Sequence, residues 1–151
     1  MNRCLLFMVC ASFSVFAGPS LDEEVEARLR TAGDMGTVVS TYKNYRGDNS
    51  RRRIALQKID SFLKGNKTFY VTSTLQEEIR QDLQSNDPHL VCQAIETSGN
   101  HRIRGLKKTI IKNFMDADKI SGGHACGIRQ SSMAALEKIN DTSLTQVYLQ
   151  M

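Results

Sequence analysis

The densest grouping of chemically capable side chains lies between Gly122 and Gly127, GGHACG, where His124 and Cys126 stand two residues apart. A cysteine nucleophile needs a histidine within hydrogen-bonding reach and an oxyanion site for the developing charge. Glycines flex this stretch, so the pair defines a thiol enzyme or redox protein as one candidate function, with His89 and His101 elsewhere in the chain. A zinc-type centre needs about four ligands at fixed spacing, and the ligands available here are scattered. No phosphate-binding glycine loop, nucleophile elbow or paired metal-helix motif occurs. Composition therefore favours a chain without cofactor, metal or catalytic residues. Cys92 and Cys126 are an even pair once a leader carrying Cys4 and Cys10 is gone, which in an oxidising compartment suggests a disulfide between them. The alternative is a buried Cys92 and a free loop thiol at Cys126.

Binding chemistry has more candidates than catalysis. Arg104, Lys108 and Lys112 recur every fourth residue with Lys107 beside them and no acid between. Such a row can receive an acidic protein, an anionic glycan or a lipid head group. The competing reading is a solvated helix face paired with Glu77, Glu78 and Asp82. Arg51, Arg52 and Arg53 form a second basic cluster at a helix start, where the dipole disfavours cations; Asp48 offsets that locally, and surface solubility is the expected role. Phe69 and Tyr70 sit in a Gly65 to Ser73 stretch that interrupts the helical rhythm. With no partner strand for Thr68 to Val71, this reads as an ordered loop packing its aromatics. Arg46-Gly47-Asp48 spells an integrin-type tripeptide, but three-residue matches are common by chance and its place in the repeat accounts for Asp48. Asn66 and Asn140 head glycosylation sequons that matter only in a eukaryotic source.

The chain has 151 residues and a net charge of +4, one domain's length and no strong bias toward nucleic acid. Residues 1–17 read as a signal peptide: Arg3 is the positive start, Leu5 to Val9 and Phe13 to Phe16 the apolar core, and Val15-Phe16-Ala17 the cleavage site. Cys10 offers a lipoprotein alternative. Cleavage would leave residues 18–151 at +3, periplasmic or secreted.

Helical periodicity then runs through the rest. Ser20 and Glu23 make a capping box for the stripe Leu21, Val25, Leu29, ended by Gly33. Val38, Val39, Tyr42 and Tyr45 face inward from a second helix. Ser50 to Leu63 is a third, with Ala55, Ile59, Phe62 and Leu63 on one face and Gly65 as a left-handed cap. Thr74 and Glu77 suggest a further capping box before Leu75, Ile79 and Leu83. Asp87-Pro88 opens the next helix, since Asp87 can cap free amides and Pro88 needs no donor in the first turn; Leu90, Val91, Ala94 and Ile95 face inward and Gly99 closes it. Ile103, Leu106, Ile110 and Phe114 form one more stripe. A polar insertion from Lys119 to Gly127 follows, then Ile128 to Ile139 with Ser132, Ala135, Leu136 and Ile139 inward, and a short terminal helix from Leu144 to Leu149.

Two runs, Leu75 to Asp87 and Leu106 to Asp118, share a leucine followed 12 residues later by an aspartate. Aligning the helices that follow places Asp48, Asp87 and Ala125 together, and likewise Ala55, Ala94 and Ser132, at offsets of 39 and 38 residues. A small residue at that position lets stacked helices approach closely. Ile128 to Asp141, IRQSSMAALEKIND, resembles the HEAT-like repeat of the phycobilisome-lyase type, in which a Val/Ile-Arg pair, a small residue, Ala-Leu and a terminal Asp recur: here Ile128-Arg129, Ser132, Ala135-Leu136 and Asp141. The resemblance extends over Val38 to Met151. It departs at Val91, where the family has arginine, at Ala125, where it has aspartate, and in the two longer loops. It implies an all-α fold, a short right-handed stack of antiparallel helix pairs, and a surface for another protein in preference to catalysis. The expectation is an exported adaptor or inhibitor, for example an immunity protein against a secreted toxin. It would bind through Arg104, Lys107, Lys108, Lys112, Phe69, Tyr70 and His124, on a helix face and the loops 65–73 and 119–127.

Overall fold

The computed structural model describes residues 20–139, which are all-helical with no strand among them. The expected signal segment, Asn140 and the expected Leu144 to Leu149 helix lie outside the described residues. Eight α-helices follow in order: α1 Leu21–Arg30, α2 Met35–Lys43, α3 Asn49–Gly65, α4 Ser73–Asp82, α5 Pro88–Asn100, α6 Lys107–Met115, α7 Ala117–Ile120 and α8 Ala125–Lys138. Short 3-10 turns at Arg104–Leu106 and Gly122–His124 lead into α6 and α8.

Local chemistry explains most of the starts. Ser20 and Glu23 form the reciprocal box at α1, and Asp34, Asp48 and Asp87 each accept from backbone amides at the mouths of α2, α3 and α5. Thr72, not Thr74, caps α4, accepting from the Leu75 amide. α8 begins without a side-chain cap: its N-cap position is His124, and Ala125, aligned by sequence with the capping Asp48 and Asp87, is already its first helical residue. Gly65 stays inside α3; the only residues in the left-handed region among those described are Gly47 and Arg102. The 119–127 segment is not an open polar insertion, because α7, the 3-10 turn and the first turn of α8 occupy it.

Packing runs through a chain of neighbours: α1 against α3, α3 against α5, and α5 against α8 in the most extensive helix contact. α2 lies against α1, α3 and α4, α4 against α5, and α6 against α8. The inward stripes merge into one core that includes Val25, Tyr42, Leu56, Ile79, Ile95, Ile110 and Leu136. Ala55, Ala94 and Ser132 are all fully buried, as their aligned positions require. Gly99 does not end α5. It lies where α5 crosses α8, and a Cβ there would stand 2.6 Å from the Ala135 Cα, so only glycine admits so close a backbone approach.

The basic cluster at the start of α3 departs most from expectation. Arg51 pairs with Asp48 at 3.2 Å at the surface, but Arg52 is only 5% exposed. It lies on the same α3 face as Ala55, Leu56 and Ile59. Its Nε donates to Asp82, and its Nη2 donates to the Glu78 carbonyl at 3.2 Å and carboxylate at 3.1 Å. Its guanidinium stacks over the Tyr42 ring, 4.3 Å from the centroid, while the Tyr42 hydroxyl donates to the other Asp82 oxygen. Arg46 closes on Glu78, with its Nε at 3.1 Å. One guanidinium thus ties α2, α3 and α4 together. Burial raises the Asp82 carboxyl above its usual range despite the bonds from Arg52 and Tyr42. Burial pushes Glu78 the same way, but the Arg46 and Arg52 hydrogen bonds overcome it and hold that carboxyl low.

Removing Arg52 leaves the buried Asp82 with the Tyr42 hydroxyl alone and Glu78 with only Arg46 and Lys43. Arg52→Leu is therefore expected to lower unfolding free energy by about 3–5 kcal/mol, measured by urea denaturation, and a loss under about 1 kcal/mol would contradict the role given to it. Gly99→Ala forces a methyl group into the α8 backbone and should cost about 1–3 kcal/mol; an unchanged melting temperature would show that α5 and α8 separate freely.

Candidate functional site

Loop residues 66–72 and the corner after α5 face each other across a groove of about 570 Å³. Phe69, Tyr70 and Val71 line one wall, Gln76 of α4 the floor, and His101 to Gly105 the other wall. The loop is fixed at its root. Asn66 donates to the Phe62 carbonyl at 2.8 Å, the Phe69 amide bonds back to Asn66 at 3.1 Å, and the Phe69 ring meets Phe62 edge-on with centroids 4.9 Å apart. Phe69 is thereby drawn inward as expected. Tyr70 is not packed: it points outward, 71% exposed.

The opposite wall is a helix terminus with an uncommon residue in it. The Arg102 amide bonds to the Gly99 carbonyl at 3.1 Å and the Ile103 amide to the Ser98 carbonyl at 2.9 Å, the paired bonds of a Schellman motif. The left-handed position of that motif is normally glycine, and here Arg102 takes it with φ 50°, at a steric cost of about 1–2 kcal/mol. Ile103 is buried beneath, and Arg102 is left exposed on the groove rim. Asp60 of α3 holds the corner from behind: His101 Nε2 lies 2.9 Å from its carboxylate, Asn100 donates to both oxygens at 3.3 and 3.1 Å, and Lys64 at 2.6 Å. Burial works to raise the Asp60 carboxyl, but the bonds from His101, Lys64 and Asn100 prevail and lower it.

Of the residues singled out from sequence, Phe69, Tyr70 and Arg104 meet in this groove although more than thirty positions separate the aromatics from the arginine. Lys108 and Lys112 are exposed on α6 and Lys107 is half-buried. The acids proposed to neutralise this row are engaged elsewhere: Glu78 and Asp82 belong to the Arg52 cluster, and Glu77 pairs with Arg80. Arg80, within that pair, also donates to the Gly105 carbonyl at 3.4 Å. From Asn100 to Met115 the chain carries five cations and no carboxylate.

His124 lies apart, edge-on to the His89 ring with centroids 4.7 Å apart. The expected Cys92–Cys126 disulfide is absent: both are free cysteines, Cys92 half-buried and Cys126 exposed. Cys92 interacts with Ser131, five positions along α8 from Cys126 and therefore about 7 Å further along the axis. Burial raises the Cys92 thiol pKa, which disfavours the nucleophilic thiolate. No group of three or more His, Cys, Asp or Glu is placed to hold a metal among the described residues, and no helix among them is long and apolar enough to cross a membrane.

Sequence reasoning missed Arg52 and Arg102. Arg52 was signalled by its three- and four-residue spacing to Ala55 and Leu56, which puts it on the apolar stripe. Arg102 had no such signal, because Gly99 three residues earlier is the residue type a helix end prefers. No family model, no curated protein and no solved structure matches the chain.

Asp60 gives the groove wall a pH dependence of defined sign. Its folded-state pKa lies below the ordinary 3.8, so its ionisation contributes stability above that value, and the contribution is lost as pH falls through the folded-state value. Asp60→Asn should be clearly less stable than the native chain at about pH 7, with the difference shrinking at about pH 3. Urea titrations at the two values check this, and an unchanged difference would remove Asp60 as the anchor.

Proposed function

We propose that this chain is an exported protein-binding module, an adaptor or inhibitor, whose helices form a HEAT-like right-handed stack of antiparallel pairs and whose recognition surface is the groove between residues 66–72 and 101–105. The observation that carries this reading is the convergence of Phe69, Tyr70 and Arg104 from separate segments onto one open groove. A rigid helical frame with an aromatic loop on one side and a basic corner on the other suits recognition. Tyrosine and arginine are, with tryptophan, the side chains enriched at the energetic centres of protein interfaces. The buried small residues Ala55, Ala94 and Ser132, recurring at the contacts of α3, α5 and α8, support the stack. Secretion rests on the composition of residues 1–17 and places the partner outside the cytoplasm.

The test is affinity capture from secreted and envelope fractions, with protein expressed from the full sequence, beside the Tyr70→Ser/Arg104→Glu double variant. One stoichiometric partner held by the native chain and released at least about tenfold more readily by the variant is the expected result. Equal retention by both proteins, or no retained partner, would overturn the groove as the recognition surface.

A further inference from the structure

We infer that the groove continues into a linear docking strip along α6 and that its occupant is an extended acidic segment of the partner polypeptide with an apolar residue at each end of its run of carboxylates. This deepens the binding-module reading and rests on it.

The strip begins at Tyr70 and Arg104, which share the groove. Lys108, Lys112 and Met115 follow on the solvent face of α6, all exposed, opposite the buried Leu106, Ile110 and Phe114. Met115 is 56% exposed, an unbranched and adaptable apolar side chain at the far end. From Arg104 to Met115 the rise is about 16 Å at 1.5 Å per residue, which an extended peptide covers with about five residues. The spacing between successive cations, about 6 Å, is close to that between alternate residues of an extended chain, so carboxylates at every second position meet them in register.

Charge complementarity selects the occupant. Arg102, Arg104, Lys108 and Lys112 are exposed and carry no hydrogen bond to a carboxylate among the described residues. Asp116, at the end of α6, is bonded to Lys119 at 2.6 Å, with Lys112 close enough to help lower its pKa after Lys119 has done so. Arg102 strengthens the case, since glycine would fit its backbone without strain and would remove a cation from the groove rim. A sulfated glycan offers negative charge, but gives the apolar ends of the strip little to contact. A membrane plane also cannot enter a concave groove. A polypeptide supplies both the charge and the apolar contacts.

The experiment uses protein expressed from the full sequence and four probes: a labelled Glu/Leu peptide of about nine residues with Leu at both ends, Glu at the alternate positions between them and Ser elsewhere, its counterpart with Ser in place of both Leu, heparin, and phosphatidylglycerol vesicles. Fluorescence titration should show the Glu/Leu peptide binding, with affinity falling as salt rises. Lys108→Glu/Lys112→Glu should weaken it roughly tenfold or more, and Tyr70→Ser or Met115→Ser severalfold. Arg102→Gly should weaken peptide binding while the melting temperature holds or rises, a split that a purely structural arginine would not give. Preference for heparin or vesicles over the peptide would reassign the strip to a glycan or a membrane, and equal affinity for both peptides would remove the apolar anchors. No binding of any probe overturns the strip. A captured partner that is lost with Tyr70→Ser/Arg104→Glu but kept with Lys108→Glu/Lys112→Glu would sink the strip alone and leave the binding module standing.

Discussion

A single buried guanidinium sets the geometry of half of this molecule. Arg52 reaches from α3 to two carboxylates of α4 while lying over the Tyr42 ring of α2, so three helices converge on one planar group. Such clusters gain little net stability over a well-packed apolar core, because desolvation opposes the Coulomb attraction. What the fork of an arginine does supply is direction: its Nε and Nη2 bonds are made in only one mutual placement of its neighbours, while Nη1 is buried without a hydrogen-bond partner. Leucine and valine could fill the same space in several registers. The cluster fixes which turn of α4 faces which turn of α3, and the loop that joins those helices inherits its ends from that choice.

The same cluster governs how charge reaches the surface. Glu78 and Asp82 are withdrawn into the interior by Arg46 and Arg52, and Asp60 is withdrawn by His101, Asn100 and Lys64. The pairings of Glu78 and Asp82 take two carboxylates of α4 out of reach of the basic row. The modest positive excess of the whole chain thus becomes a local one, concentrated between Asn100 and Met115. Net charge alone did not indicate a charged face, since the distribution follows from which acids the core uses.

The sequence was most legible where structure is decided within a few residues. Ser20 with Glu23 and Asp87 with Pro88 mark their helix starts because a cap needs only its own turn, and the stripes of α4, α5 and α6 follow from burial of one face. Legibility failed where a residue answers to a distant partner. Gly99 resembles a terminator until Ala135 arrives from α8, and Arg52 resembles surface charge until α4 supplies its carboxylates. The Cys92 and Cys126 pairing failed for the same reason, since parity of cysteines carries no information about position along two packed helices. In the groove, the aromatics and Arg104 were identifiable as residue types, but their meeting depends on the α3, α4 and α5 packing that no local pattern encodes.

The contact of Gly99 with Ala135 has a mechanical consequence for the groove. Two backbones that touch act as a fulcrum: α5 and α8 cannot draw nearer, and sliding one past the other would drive Ala135 into neighbouring side chains. The corner formed by His101, Arg102 and Ile103 begins two residues beyond that fulcrum and is braced from behind by Asp60. One wall of the groove is therefore a stiff jaw, facing a 66–72 loop that is itself anchored at its root. A guest that docks there spends little of its binding energy on ordering the host.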